Sequence, residues 1–247
     1  MSEAAGSTSN IPQLPPVFGR TSLSDTWDAA VLLVDKPVGI TSFGVVKRIR
    51  HRVPVRKVGH AGTLDPMATG LLIVLVGRAT KSMEAFMGQD KVYQGTIRLG
   101  EVTPSYDAES EVTERKDTDH LSDDDIRTAT RPFTGLIEQR PPSYSAIKVG
   151  GERLYKKARR GEDVELPLRS VRVDAFEIGE RRGADVDFRV ACSKGTYIRS
   201  LAHDLGAELG VGGHLVRLRR TAIGDYDVSN AWDLNDLLAA LEEQQDG

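Results

Sequence analysis

Hydrophobic and polar positions change period several times along the chain, and each change marks an element. VLLVDKP (31–37) opens with four apolar residues and stops at a proline, as a short buried strand does. Thr41 or Ser42 can cap the next element. Phe43, Val46, Ile49 and Val53 then recur at helical spacing, with Lys47, Arg48 and Arg50 to Arg52 opposite. This predicts an amphipathic helix with a basic outer face. GHAGTLDPMATG (59–70) is a glycine-rich turn leading into the strand Leu71–Val76, and KVYQGTIRLG (91–100) alternates, placing Tyr93, Gly95, Ile97 and Leu99 on one strand face. After an acidic, turn-rich segment (101–119), Ser122 starts a helix with acids in the first turn, where the helix dipole favours them. RPPSYSAIKVGGERLY (140–155) reads as loop, strand and tight Gly-Gly turn, and residues 164–192 as several strands. YIRSLAHDLGAELG (197–210) is a helix with Ile198, Leu201, Leu205 and Leu209 inward and Gly210 near its end. HLVRLRRTAIGDYDV (214–228) supplies a last strand. Strands outnumber helices without alternating regularly with them. The expectation is an α+β fold with a central mixed, largely antiparallel sheet flanked by helices.

The chain has 247 residues, 39% of them hydrophobic, enough for a real core. MSEAAGSTSNIPQLPPVFGR carries an early acid and no apolar centre, so it is not a secretory signal. Residues 1–28 are expected to be a disordered leader, 29–230 one folded domain, and 231–247 a short acidic helix and tail. No apolar run approaches the ~20 residues of a membrane span.

The net charge of −3 argues at first against nucleic acid. Its distribution reverses that reading. The acids concentrate in residues 101–125, which hold ten, and in 225–247, which hold seven. The bases concentrate in KRIRHRVPVRK (47–57), KVGGERLYKKARR (148–160) and RLRR (217–220). One such run is as often a solvated face as a binding site. Three of them favour a polyanion, held through phosphate contacts that release counterions.

Cys192 is the single cysteine, so no internal disulfide is possible, and the five histidines show no metal-ligand spacing. A reducing, cytoplasmic setting fits. No phosphate-binding glycine loop or dinucleotide fingerprint is present, which points to chemistry without a nucleotide cofactor. Asp65 stands directly before Pro66. That pair suits a helix N-cap followed by the first helical residue, and it suits equally a reactive carboxylate held rigid by its turn.

Six blocks bear on the choice: DKPVGITS (35–42), GHAGTLDPMATGLL (59–72), KVYQGTIRLG (91–100), PPSYSAIKVGG (141–151), CSKGTYIRSLAHDLG (192–206) and HLVRLRRTAIG (214–224). In this order and spacing, from about Leu32 to Tyr226, the sequence resembles the TruB family of tRNA pseudouridine synthases. The resemblance implies a pseudouridine-synthase fold. It also implies isomerisation of uridine 55 in the T-loop of tRNA without cofactor or metal. Asp65 falls on the family's catalytic aspartate and Arg199 on the arginine that keeps it ionised. Tyr93 falls on the tyrosine that stacks on the target base. Tyr197 and Leu218 match residues lining the uracil pocket, Asp107 an acid supporting the arginine, and His60 a histidine contacting extruded nucleotides. Lys36, Lys148 and Arg220 lie in family blocks and would serve the RNA or the local fold. The resemblance does not extend to a C-terminal accessory module, so a short form relying on the T-arm is expected, monomeric and without an obligate protein partner. Two competing readings stay open: an RNA-binding module that opens and recloses the tRNA elbow, and a sibling enzyme acting on another RNA.

Overall fold

The computed structural model describes residues 14–142, 148–149, 152–153, 160 and 167–246. In chain order its strands are β1 (Val17–Phe18), β2 (Ala29–Lys36), β3 (Val58–Ala61), β4 (Thr69–Gly77), β5 (Lys91–Leu99), β6 (Glu101–Val102), β7 (Glu114–Arg115), β8 (Gly135–Gln139), β9 (Lys148–Val149), β10 (Glu152–Arg153), β11 (Arg169–Arg182), β12 (Asp185–Cys192), β13 (Gly213–Ile223), β14 (Tyr226–Asp227) and β15 (Trp232–Asp233). The helices are α1 (Ser42–Arg50), α2 (Met83–Gly88), α3 (Asp123–Ala129), α4 (Ile198–Glu208) and α5 (Leu234–Asp246).

One large sheet runs in the order β1-β2-β4-β13-β5-β12-β11-β8, with β3 added to β4, β14 to β13 and β15 to β2. Most pairs are antiparallel, but β13 meets β4 in parallel through Arg219↔Thr69 and Arg220↔Gly70. That short contact joins two halves. On one side, β5, β11, β12 and β13 pack Tyr93, Ile97, Val190 and Leu218 against Ile198, Leu201 and Leu205 of α4. On the other, β2 and β4 are buried on both faces, by α1 and α5 on one and by Phe86 of α2 on the other. Double-sided burial explains why their sequences are unbroken apolar runs rather than alternating ones.

The sequence expectations for β2, β4, β5, α3 and α4 hold. Ser122 makes a full capping box with Asp125, and Gly210 closes α4 at φ +73°. Four expectations change. Residues 14–28 of the supposed leader are packed: β1 pairs with β2, and Leu23 and Trp27 lie against the core. Residues 1–13 lie outside the described residues. The expected C-terminal helix is present as α5, but it runs through the stretch expected as a tail and is packed, burying Leu234, Leu237, Leu238 and Leu241. Residues 164–192 contribute, among the described residues, one long hairpin of β11 and β12. Finally, Phe43 is turned outward at 61% exposure, and Ser42 takes the inward position beside Val45, Val46 and Ile49.

Candidate active site

Asp65 lies in the turn between β3 and β4. Only Pro66 to Ala68 separate it from β4, too few for a helix. The turn closes on itself, Ala68 N–H donating to Asp65 O at 3.1 Å. Asp65 therefore caps no helix, and the capping interpretation falls away. The turn is held from outside instead. Ser42 at the start of α1 bonds Leu64 twice: the Leu64 N–H donates to Ser42 Oγ at 2.8 Å, and Ser42 Oγ donates to Leu64 O at 3.1 Å. Gly39 N–H donates to Pro66 O at 2.8 Å. Lys36, fully buried at the end of β2, gives its ammonium to Ile40 O at 2.8 Å, Pro37 O at 3.0 Å and Pro66 O at 3.4 Å. These bonds show why the DKPVGITS block belongs with the turn, although it is distant in sequence.

Arg220 secures the other side. It is 1% exposed, and its guanidinium donates to Leu71 O at 2.8 Å and Gly62 O at 3.1 Å. Gly70, its cross-strand neighbour, must be glycine: φ is +102°, and a Cβ there would collide with the Arg220 backbone. Lys36 and Arg220 thus serve the local fold, one of the two roles left open for them. The Lys36 pKa falls to about 8, chiefly through burial, with Asp65 pulling it back up.

Arg199, in the first turn of α4, reaches Asp65: Nε lies 3.0 Å from Oδ2. Its Nη1 lies 3.3 Å from Asp107 Oδ2 and donates to Ser105 O at 3.1 Å. Asp107 is itself nearly inaccessible and accepts from Ser105 Oγ and from the Glu109 N–H. One guanidinium therefore bridges two carboxylates, and burial of the assembly matters. Burial raises the Asp65 pKa above the ordinary carboxylate range; Arg199 opposes it most, while Asp107 adds to it. Asp65 keeps an open side, with 36% of its side chain accessible against 8% for Arg199. This is the arrangement of an aimed carboxylate with a free approach, not of a structural ion pair sealed on all sides.

Tyr93 points into the same buried cluster as Leu64, Ala68 and Leu218. It is the cross-strand partner of Arg220. Burial raises its pKa and Arg220 opposes that, so the phenol stays protonated at neutral pH. Leu218 is 6% exposed in that cluster. His60, on β3, has a buried Nδ1 without a hydrogen-bond partner among the described residues, and burial followed by Arg220 lowers its pKa, so it is neutral beside the turn. Tyr197 immediately precedes α4, with the Arg169 guanidinium 5.7 Å from its ring centre. Of Lys148 only the backbone is described, in β9; its side chain lies outside the described residues.

Three contributors were missed in the sequence. Gln139 pins the start of α4, its amide donating to Tyr197 O at 3.0 Å and accepting from Tyr197 N–H at 2.8 Å. Ser42 anchors Leu64. Tyr106, between the two residues that hold Arg199, has φ +63° and stacks on His203 of α4 with ring centres 3.9 Å apart. A non-glycine residue in that conformation costs energy, which the stack and the flanking bonds to Leu215 offset. No pattern in sequence announces any of the three.

Five of the six sequence blocks thus converge on one turn; the block 141–151 lies largely outside the described residues. Comparison with known proteins agrees. A family model described as the TruB family pseudouridylate synthase N-terminal domain matches residues 50–198, and one described as the tRNA pseudouridylate synthase B C-terminal domain matches 199–247. This chain belongs to the TruB family. It is 54% identical over 217 residues to the tRNA pseudouridine synthase B of Thermobifida fusca, covering 85% of this chain and 74% of that one. It is 47% identical over 214 residues to the tRNA pseudouridine synthase B of Flavobacterium johnsoniae, covering 84% and 93%. Among solved structures it matches a chain of a Cbf5-Nop10-Gar1 complex at TM-score 0.66 and 33% identity, and one of an H/ACA RNP bound to a substrate RNA containing 2′-deoxyuridine at 0.66 and 31%. It covers 86% and 87% of itself in these matches but spans only about half, 54%, of each of those chains. The fold is the pseudouridine-synthase fold. No helix among the described residues is long and apolar enough to cross a membrane.

Proposed function

We propose that this TruB-family protein converts uridine 55 in the T-loop of tRNA to pseudouridine, with Asp65 as the nucleophile. The observation that carries the reading is the Asp65–Arg199–Asp107 bridge at an open-sided turn. A purely RNA-binding module has no use for a buried guanidinium aimed at a half-open carboxylate. In this reading the target base is extruded from its stack into the space above the turn, at a cost of a few kcal/mol offset by phosphate and stacking contacts. Asp65 attacks, the bond from ribose to N1 breaks, the base turns, C5 bonds to the ribose as the bond to Asp65 breaks, and the proton lost from C5 is matched by one gained at N1. Arg199 holds Asp65 ionised and fixes its direction. Tyr93 stacks on the base and helps remove the C5 proton at the end, its phenol giving its own proton to solvent as it takes that one. Tyr197 and Leu218 flank the base, and His60, neutral, meets the extruded nucleotides. Asp107 positions Arg199. The protein works in the cytoplasm as a monomer on the T-arm, without cofactor, metal or obligate protein partner.

Asp65→Asn tests this. Asn keeps the shape and the turn but not the charge. Burial raises the Asp65 pKa, so the ionised form is held in the fold at a cost, and removing it does not weaken the fold through that term. The expected outcome is a cooperative unfolding transition close to that of the parent, unchanged tRNA binding, and pseudouridine formation at position 55 reduced by at least a thousandfold, mapped by carbodiimide-stop sequencing. Substantial turnover in this variant would falsify the nucleophile assignment.

A further inference from the structure

Phe43 is the exposed phenylalanine of this chain: Phe86, Phe176 and Phe188 are buried, and Phe18 and Phe133 half-buried. It stands at a particular place. Ser42, directly before it, bonds both backbone groups of Leu64, and Leu64 directly precedes Asp65. Val38, 67% exposed, lies in the loop before α1 whose Gly39 bonds Pro66. The rim of the catalytic turn therefore carries two apolar side chains in water. Along the same exposed stripe of α1 come Lys47 and Arg50, at i+4 and i+7. At the helical rise they lie about 6 Å and about 10 Å from Phe43 along the axis. Where the stripe ends, Arg50 and Arg56 flank a shallow depression floored by Val53, Pro54 and Val55.

An aromatic face followed by a line of cations is complementary to a single nucleic-acid strand: the ring meets a base and the cations meet its phosphates. A protein partner of α-helical or strand type would need a wider apolar face than two side chains. Resting on the tRNA-isomerase reading above, we propose that Phe43 contacts the substrate. Its ring stacks on an unpaired base next to the extruded target, and Lys47 and Arg50 take the adjoining phosphates. The stack replaces part of the stacking that the RNA loses when the target leaves the loop, so it acts on binding of the opened RNA rather than on bond exchange.

Because Phe43 is exposed, replacing it leaves the core intact, and Phe43→Leu and Phe43→Trp can be compared directly. The probe is a T-arm stem–loop RNA carrying 2-aminopurine at one unpaired loop position at a time, read by fluorescence on binding, alongside steady-state kinetics on unmodified tRNA. At one position the parent protein should quench 2-aminopurine; Phe43→Leu should lose the quench and Phe43→Trp keep it. KM should rise about tenfold in Phe43→Leu and return in Phe43→Trp, with kcat within about twofold in both. Unchanged KM and unchanged fluorescence in Phe43→Leu would overturn the proposal. If the parent forms no pseudouridine in tRNA, the reading of the reaction fails, while the fluorescence comparison still decides whether Phe43 stacks on RNA.

Discussion

Residues 47–57 and 217–220 are both arginine-rich, and the fold treats them in opposite ways. On α1, Lys47, Arg48 and Arg50 face solvent, because the helix turns its apolar side to β2 and β4 and leaves the other side free. On β13, alternation sends the cations to different fates. Arg217 lies near Asp187 at 3.6 Å, Arg219 grips Asp35 through two bonds of 2.6 and 3.0 Å, and Arg220 is buried against the turn that carries Asp65. A basic run is therefore evidence for a polyanion only when its element presents it. Of the two runs, the first lies on the surface, while in the second Arg219 and Arg220 are scaffold and Arg217 alone stays exposed, and three experiments press on that difference.

The largest effect is expected from Arg220→Met. It leaves Leu71 O and Gly62 O buried without their donor, each worth on the order of 1–3 kcal/mol, while relieving the burial of a charge. The net expectation is a loss of about 2–4 kcal/mol in denaturant unfolding, together with most of the activity, because the turn carrying Asp65 loses its anchor on the β13 side. If stability and turnover both survive, Arg220 belongs with the RNA contacts after all, and the contrast between the runs collapses.

Neutralising the helix run should do the reverse. Lys47→Gln, Arg48→Gln and Arg50→Gln together remove exposed charges, so stability should stay within about 0.5 kcal/mol. Affinity for tRNA should fall by at least tenfold near physiological salt. The slope of log K against log salt should flatten by about two, since each phosphate contact contributes roughly 0.7 to 0.9. An unchanged salt slope would remove α1 from the interface.

The same contrast marks what could be read from the sequence. The elements of the core were legible because double-sided burial writes itself as apolar runs and half burial as alternation. Asp65, Tyr93 and Arg199 were legible as positions within blocks, and the resemblance also paired Arg199 with Asp65; no local pattern shows how the sheet and α4 bring these residues, 134 positions apart, to one place. Phe43 was misplaced by one position on its helix. Counting apolar residues put it inward, whereas Ser42 takes that slot to satisfy the Leu64 backbone, a long-range bond that no local pattern encodes. Gln139 and Tyr106 were invisible for the same reason. Each is a single residue whose partner lies far along the chain, at Tyr197 and His203 respectively. The packing of the C-terminal helix was hidden because its acids dominate the composition while four leucines, Leu234, Leu237, Leu238 and Leu241, make the contacts.

The smallest expected effect separates buried from exposed charge at the carboxylate itself. On the proposed mechanism activity needs ionised Asp65, so the rate should fall as pH drops through its pKa. Burial raises that pKa, which moves the acid limb above the range of an ordinary aspartate, and Asp107 raises it further. In Asp107→Asn the repulsion disappears while Arg199 remains at Asp65, so the limb should move to lower pH. At the same time kcat should fall severalfold, because the guanidinium loses a partner that fixes its direction. Lys47→Gln should leave the limb where it is, since an exposed cation is screened by water and salt before it can act on a buried group. pH–rate profiles of single turnover at saturating tRNA read both. A shift in Lys47→Gln matching that of Asp107→Asn would mean that Asp65 responds to the general field of the surface rather than to the bridge beneath it, and the division between scaffold charge and surface charge would no longer hold at the place where it matters most.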